Sequence, residues 1–236
     1  MATYNVHKCC GLDGRTRPER VLEVLRDINA DVFALQEVIC IDDLRREANQ
    51  GRYLAEELGF QLALGENRRY KGGAYGNVVL SRYPLRSFCN YDLSIGTREE
   101  RGCLRTDVNL SPDHIVHIFN VHLGTAFMER RHQARKLVAG ELLASEELTG
   151  PRVVLGDFNE WTRGLVTHVL RSHLESADIQ LHLKRTRTYP GFMPLIHLDH
   201  IYHDPALKLE RLTLHKTRAS LMASDHLPLV ADFRLE

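Results

Sequence analysis

The apolar positions along this chain follow two periods. Val21, Val24, Leu25 and Ile28 recur at helical spacing and share one face, and Pro18 suits the first helical position. Immediately after, Asp31-Val-Phe-Ala-Leu-Gln-Glu37 is a short unbroken run, which predicts a buried strand ending in an acid. Further strands are predicted over Asn77–Ser81, Leu104–Leu110, Ile115–Leu123, Val153–Gly156, Leu198–Tyr202, Arg211–His215 and Leu227–Leu235. Helical patterns cover 42–58 and 127–147, the second rich in Leu, Ala and charged residues. Strands interleaved with helices predict a layered α/β fold. Several strands follow one another with no helix between them, which favours a mixed sheet over a purely parallel one. No linker, repeat or low-complexity run divides the chain, so one domain over 1–236 is expected.

Composition narrows the class. With 43% hydrophobic and 26% charged residues in 236, the chain sustains a packed core and is not a disordered sequence. Lys and Arg number 31, and so do Asp and Glu, so there is no global basic field of the kind that dominates affinity for nucleic acid. Any phosphate chemistry must therefore be local. No apolar run reaches the roughly 18 residues of a membrane-spanning helix. The first residues lack the basic-then-apolar pattern of a secretory signal. Cys9, Cys10, Cys40, Cys89 and Cys103 form no CxxC pair and read as reduced thiols. A cytoplasmic monomer is the expectation.

The polar residues at the ends of the apolar runs carry the chemistry. Tyr4-Asn5-Val6-His7 opens the chain, Leu35-Gln36-Glu37 closes a strand, and Val121-His122-Leu123 closes another. Gly156-Asp157-Phe158-Asn159 follows a strand through a tight turn, and Leu198-Asp199-His200 and Ser224-Asp225-His226-Leu227-Pro228 repeat the theme. Singly, each has an ordinary explanation: a solvated strand end for Glu37, turn-forming Asx residues for Asp157 and Asn159, a core histidine for His122, an N-cap for Asp225. Together they point to rigid elements delivering side chains into one crevice.

In that order, Asn5, LQE, His122-Leu123, GDFN, Leu198-Asp199-His200 and SDHLP resemble the endonuclease/exonuclease/phosphatase superfamily, with its DNase I-like nucleases, neutral sphingomyelinases and inositol polyphosphate 5-phosphatases. The likeness runs from Asn5 to the last strand and is greatest to short bacterial members opening on a Tyr-Asn-Val/Ile-His-Lys-Cys segment. It implies a four-layer α/β sandwich: two mixed sheets face to face, helices outside, the site at one end. It also implies phosphoester hydrolysis with Mg²⁺ or Mn²⁺. On this resemblance Glu37 is the leading metal ligand, with Asn5 beside it and Asp225 as a further one. Asp157 and Asn159 would sit across the scissile phosphate, the carboxylate on the attacking water and the amide on a phosphoryl oxygen. His226 would act as base or as cationic donor, with Asp199 holding its other ring nitrogen. His122 would donate to a non-bridging oxygen or assist the leaving group. The choice of general base between Asp157 and His226 stays open at this level.

The chain departs from the repair-type pattern at His7, where abasic endonucleases carry an aspartate; His7 is left as a phosphate or weak metal contact. Asn77, after the Gly72-Gly73-Ala-Tyr-Gly76 loop, and Arg101 are candidate substrate contacts. A nuclease-type phosphodiesterase acting on DNA is the first expectation. Arg68-Arg69-Tyr70-Lys71 and Lys184-Arg185-Thr186-Arg187 would then track a phosphate backbone. Alternatives are a phospholipid or sphingomyelinase-like phosphodiesterase, with the apolar Pro190–Ile196 segment making peripheral membrane contact, a phosphatase on a small phosphoester, and a non-catalytic scaffold. The scaffold reading predicts loss of the GDFN aspartate or the terminal Asp-His, and both are present.

Overall fold

The computed structural model describes residues 1–43, 45–138, 142–145, 148–160, 164–177, 188–190 and 196–235. The first sheet is built from β1 (Ala2–Asn5), β2 (Val32–Cys40), β3 (Gln61–Tyr70), β4 (Gly73–Ser81), β11 (Leu207–Leu214) and β12 (Leu229–Leu235), in the order β11-β12-β1-β2-β4-β3. The second holds β5 (Leu85–Asp92), β6 (Gly102–Ser111), β7 (His114–His122), β8 (Arg152–Asp157), β9 (Glu175–Ser176) and β10 (Asp199–His203), in the order β5-β6-β7-β8-β10-β9. The β1–β2 and β7–β8 pairs are parallel and their neighbours antiparallel, so both sheets are mixed.

Alternation along the strands decides the layers. In β2, Phe33 and Leu35 turn outward onto α1 (Pro18–Ile28) and α2 (Gln50–Leu58), while Val32 and Ala34 turn inward onto the other sheet. In β7, Phe119 and Val121 pack against α3 (Phe127–Val138) and α4 (Leu165–Arg171), while Val116 and Ile118 face inward. A helix, sheet, sheet, helix stack results, as the sequence led us to expect, and each fully buried Leu, Ile, Val or Phe contributes about 1.5–3 kcal/mol. A last short helix, α5 (Arg218–Ala223), lies against α1 and carries a capping box from Thr217 to Ser220.

Some elements differ from the pattern. The 42–58 helix begins only at Gln50, because the Asn49 side chain accepts from Arg52 N at 3.1 Å and caps it; Arg46–Ala48 is a separate 3-10 turn. Among the described residues α3 ends at Val138, and part of the predicted 139–147 stretch lies outside them. Gly73–Gly76, read as a loop from its glycines, starts β4. Strands β3 and β5 had no apolar run to announce them. Both are sheet edges, and β5 is largely solvent-exposed.

A band of buried amides ties the sheets together below the crevice. Gln36 Nε2 donates to Asn120 Oδ1 at 2.7 Å, and Asn120 Nδ2 donates back to the carbonyls of Leu35 and Val78, both at 2.9 Å. Asn77 Nδ2 donates to the carbonyls of Gly102 and Asn120 at 3.0 and 3.1 Å. Paired amides of this kind fix the register of one sheet on the other.

Candidate active site

Register brings the strand-end residues together. His122 pairs with Asp157 across β7–β8, and Asp157 pairs with Asp199 across β8–β10, so three side chains leave adjacent strands at one level. On the facing sheet, Asn5, the last residue of β1, pairs with Gln36 in the middle of β2, one residue before Glu37; the strand expected to end at Glu37 bulges there and runs on to Cys40. Gly156 allows the approach: its φ is +148°, and a Cβ there would run into the Val121 carbonyl of the neighbouring strand.

Asp157 is the meeting point. Its Oδ1 accepts from Asn159 N at 2.9 Å, closing the turn that the sequence suggested. Its Oδ2 is left for the cleft, where it accepts from Asn5 Nδ2 at 3.0 Å and stands 3.5 Å from His122 Nε2 and 3.7 Å from His226 Nε2. One carboxylate thus forms the turn and faces the site with different oxygens. Asn159 holds a left-handed backbone, φ 48°, and spends its amide on the Leu123 carbonyl at 2.8 Å.

His226 is clamped by acids. Its Nδ1 meets Asp199 Oδ2 at 3.0 Å, and the Tyr189 ring lies against it with centroids 4.9 Å apart. Burial disfavours the imidazolium, but Asp199 and Asp157 outweigh it and push the group up to about 10. His122 goes the other way. Burial first, then the Arg101 guanidinium, lower it to about 4, against the pull of Asp157 and Glu37. One Arg101 nitrogen stands 3.0 and 2.9 Å from the two ring nitrogens of His122, and the other donates to Glu99 at 2.7 Å.

Glu37 sits at a bulge in β2 with φ 59°. Its Oε1 accepts from Asn5 Nδ2 at 3.1 Å, and its Oε2 meets Lys8 Nζ at 2.9 Å. Burial would raise this carboxyl, yet His122, Lys8 and Asn5 together lower it to about 2. Asp225 is half-buried nearby, 3.4 Å from His7 Nδ1. No cluster of three His, Cys, Asp or Glu side chains converges on a metal position among the described residues. The donors present still suit a hard ion. Glu37 is an ionised oxygen donor already facing a cation, with Asn5 and Asp157 beside it, and Mg²⁺ binds through one or two carboxylates while keeping water and substrate oxygens.

Asn77 is fully buried in the amide band, and Arg101 backs His122 with only 6% of its surface exposed. Of the basic clusters, Arg68 stacks on Tyr75 at 4.6 Å and pairs with Glu99 at 3.5 Å, while Arg69 pairs with Glu66 at 2.9 Å. Lys184–Arg187 lies outside the described residues, as does most of Pro190–Ile196. Lys8, Tyr189 and the amides of Gln36 and Asn120 were not singled out from sequence. For the amides a signal existed, since each is a polar residue inside an otherwise apolar strand. Among the described residues no helix is long and apolar enough to cross a membrane.

Comparison with known proteins gives the family and the fold. The model of the Endonuclease/Exonuclease/phosphatase family matches residues 2–226. The uncharacterized protein YbhP of Escherichia coli K12 is 31% identical, over 100% of this chain and 96% of that protein. A UPF0294 protein of Vibrio campbellii is 24% identical, over 100% of this chain and 77% of its own length. Among solved structures, the mannosyl-6-phosphatase Bt3783 of Bacteroides thetaiotaomicron superposes with a TM-score of 0.79 at 15% identity, over 99% of this chain and 98% of that one. The human Nocturnin catalytic domain with bound sulfate gives 0.75 at 20% identity, over 100% and 94%. At such identities the structures speak for the shared fold.

Proposed function

This chain belongs to the endonuclease/exonuclease/phosphatase family, and from that premise we propose that it is a Mg²⁺- or Mn²⁺-dependent phosphoester hydrolase of the nuclease-type phosphodiesterase class. The observation that carries the reading is the convergence on Asp157 Oδ2 of Asn5, His122 and His226, at 3.0, 3.5 and 3.7 Å. Hydrolysis of a phosphoester needs an oriented water, charge neutralisation on the phosphoryl oxygens and help for the leaving oxygen.

The residues divide those tasks. Asp157 orients and deprotonates the water, because its Oδ2 faces the cleft among Asn5, His122 and His226 while the turn holds its Oδ1. His226, held protonated at neutral pH by Asp199 and Asp157, is a cationic donor to a phosphoryl oxygen and not the base. His122 stays neutral against Arg101 and serves the leaving oxygen through a hydrogen bond. Glu37, with Asn5 and Asp225 nearby, would hold the divalent ion, which supplies positive charge to the phosphate.

A small phosphoester is a second reading, favoured by two observations. Arg68 and Arg69 are spent in internal pairs, and a cleft of about 550 Å³ lined by Lys8, Gln50, Tyr70 and Lys71 adjoins Glu37's strand. Turnover assays with Mn²⁺ on DNA, RNA, abasic DNA, phospholipids, nucleotides and sugar phosphates test both. Hydrolysis abolished by EDTA is expected; no hydrolysis across the panel leaves the binding-scaffold reading instead.

A further inference from the structure

Three consecutive non-glycine residues after β1 hold left-handed backbone: His7, Lys8 and Cys9, with φ of 46°, 59° and 53°. Such residues avoid this region, and a run of them persists only where the surroundings enforce it. Here the surroundings are visible. Cys9 N donates to Val6 O at 2.8 Å and Cys10 N to His7 O at 2.9 Å, which closes the turn. Gln50, buried at the start of α2, then staples the turn to β2: its Nε2 donates to Lys8 O at 2.7 Å, and its Oε1 accepts from Ile39 N at 3.0 Å. Ile39 is two residues beyond Glu37 on the same strand.

The outcome of this bracing is one contact. Lys8 Nζ lies 2.9 Å from Glu37 Oε2, with the lysine side chain 32% exposed and the glutamate 16%. Asn5 holds the other oxygen of the same carboxylate. A buried carboxylate of this kind needs a positive partner, and the fold supplies a mobile, monovalent one on a flexible stem. A divalent ion bound at Glu37 would bring a second cation onto the oxygen that Lys8 occupies, and the two would repel.

Resting on the reading that Glu37 holds the divalent ion, we propose that Lys8 is the resident counter-cation of Glu37. The entering ion takes its place on the carboxylate, and the freed ammonium becomes a phosphate-binding group at the mouth of the adjoining cleft, which Lys8 already lines. Lys8 thereby sets the metal affinity and links metal occupancy to phosphate binding.

Calorimetric titration with Mn²⁺ of the wild-type protein and the Lys8→Met, Lys8→Arg and Glu37→Gln variants tests this, with circular dichroism melts as the folding control. Inorganic phosphate is then titrated into the Mn²⁺-loaded wild type and Lys8→Met. Removing a competing charge from a partly exposed pair should tighten Mn²⁺ binding in Lys8→Met by about fivefold to tenfold. Lys8→Arg should stay near wild type, Glu37→Gln should lose the ion, and phosphate should bind Lys8→Met more weakly. A residue that only supports the turn would weaken both ligands. Unchanged or weaker Mn²⁺ binding in Lys8→Met, with the ion lost in Glu37→Gln, overturns the counter-cation role and leaves the metal reading standing. Unchanged Mn²⁺ binding in Glu37→Gln overturns the metal reading itself and the proposal with it. Unchanged phosphate affinity in Lys8→Met overturns the phosphate half.

Discussion

Asp199 and Asp157 are register partners on antiparallel strands, and they approach one imidazole from its two nitrogens: His226 Nδ1 is 3.0 Å from Asp199 and Nε2 is 3.7 Å from Asp157. The ring sits between the two carboxylates, which strand register places, and its protonated form offsets the repulsion between them.

This fixes the sign of a pH effect. The His226 group is raised to about 10 by Asp199 and Asp157 against burial. Its stabilisation is therefore complete below the ordinary histidine value of about 6.5 and is lost as pH rises through the folded value. As a cationic donor it should give kcat/KM an alkaline limb well above neutrality. In Asp199→Asn that limb should move toward about 6.5. A pH–rate profile with the limb unmoved would remove His226 from the donor role.

Asp157→Asn keeps the shape and the Asn159 turn contact but cannot accept a proton from water. We expect kcat to fall by about a thousandfold, within the usual range for a lost general base, and the melting temperature to fall only by the share of the His226 pairing that Asp157 supplies, with the protein still folded. Single-turnover kinetics with thermal melts separate the two. Activity within tenfold of wild type would assign the base elsewhere.

Stability should depend on the amide band. Asn120→Ala strips Gln36, Leu35 and Val78 of a partner inside the sheet interface. The cost is expected to be about 3 kcal/mol, or a fall of roughly 6–12 °C in Tm, read by calorimetry. Cys89→Ser, at an exposed position, is the control and should leave Tm unchanged.

A second polar cluster lies away from the crevice, on β5, β6 and β7. Asp107 accepts from His117 at 2.6 Å, from Arg105 at 2.8 and 2.9 Å and from Ser87 at 2.6 Å. Burial would raise its carboxyl, but these donors hold it well below the ordinary range. A depressed carboxyl stabilises the fold above its unfolded value of about 3.9, and that contribution disappears as pH falls through the folded one. Denaturant melts should therefore show stability dropping below about pH 4, and Asp107→Asn should flatten that drop while lowering stability at neutral pH by about 3 kcal/mol. An identical acid profile in the variant would locate the acid sensitivity in other carboxylates.

Much of the molecule was legible along the chain. The apolar periods of α1, β2, β7 and β8 are imposed by which faces must leave water, so those elements and the layered class follow from residue order. The strand-end residues were legible too, because His122, Asp157 and Asp199 each follow or open an apolar run. Edge strands β3 and β5 were not, since a strand that buries little carries no such run.

What the sequence could not determine was who meets whom. That Asp157 gives one oxygen to a turn and the other to the cleft, that Asn77 donates to the Gly102 and Asn120 carbonyls, and that Lys8 reaches Glu37 all depend on strand register and on a left-handed turn braced by Gln50. Those contacts join residues far apart in the chain, and local periodicity holds no information about them. Register between strands, set by the packing of two sheets on a shared core, decides which polar side chains share one crevice and therefore which charges they carry.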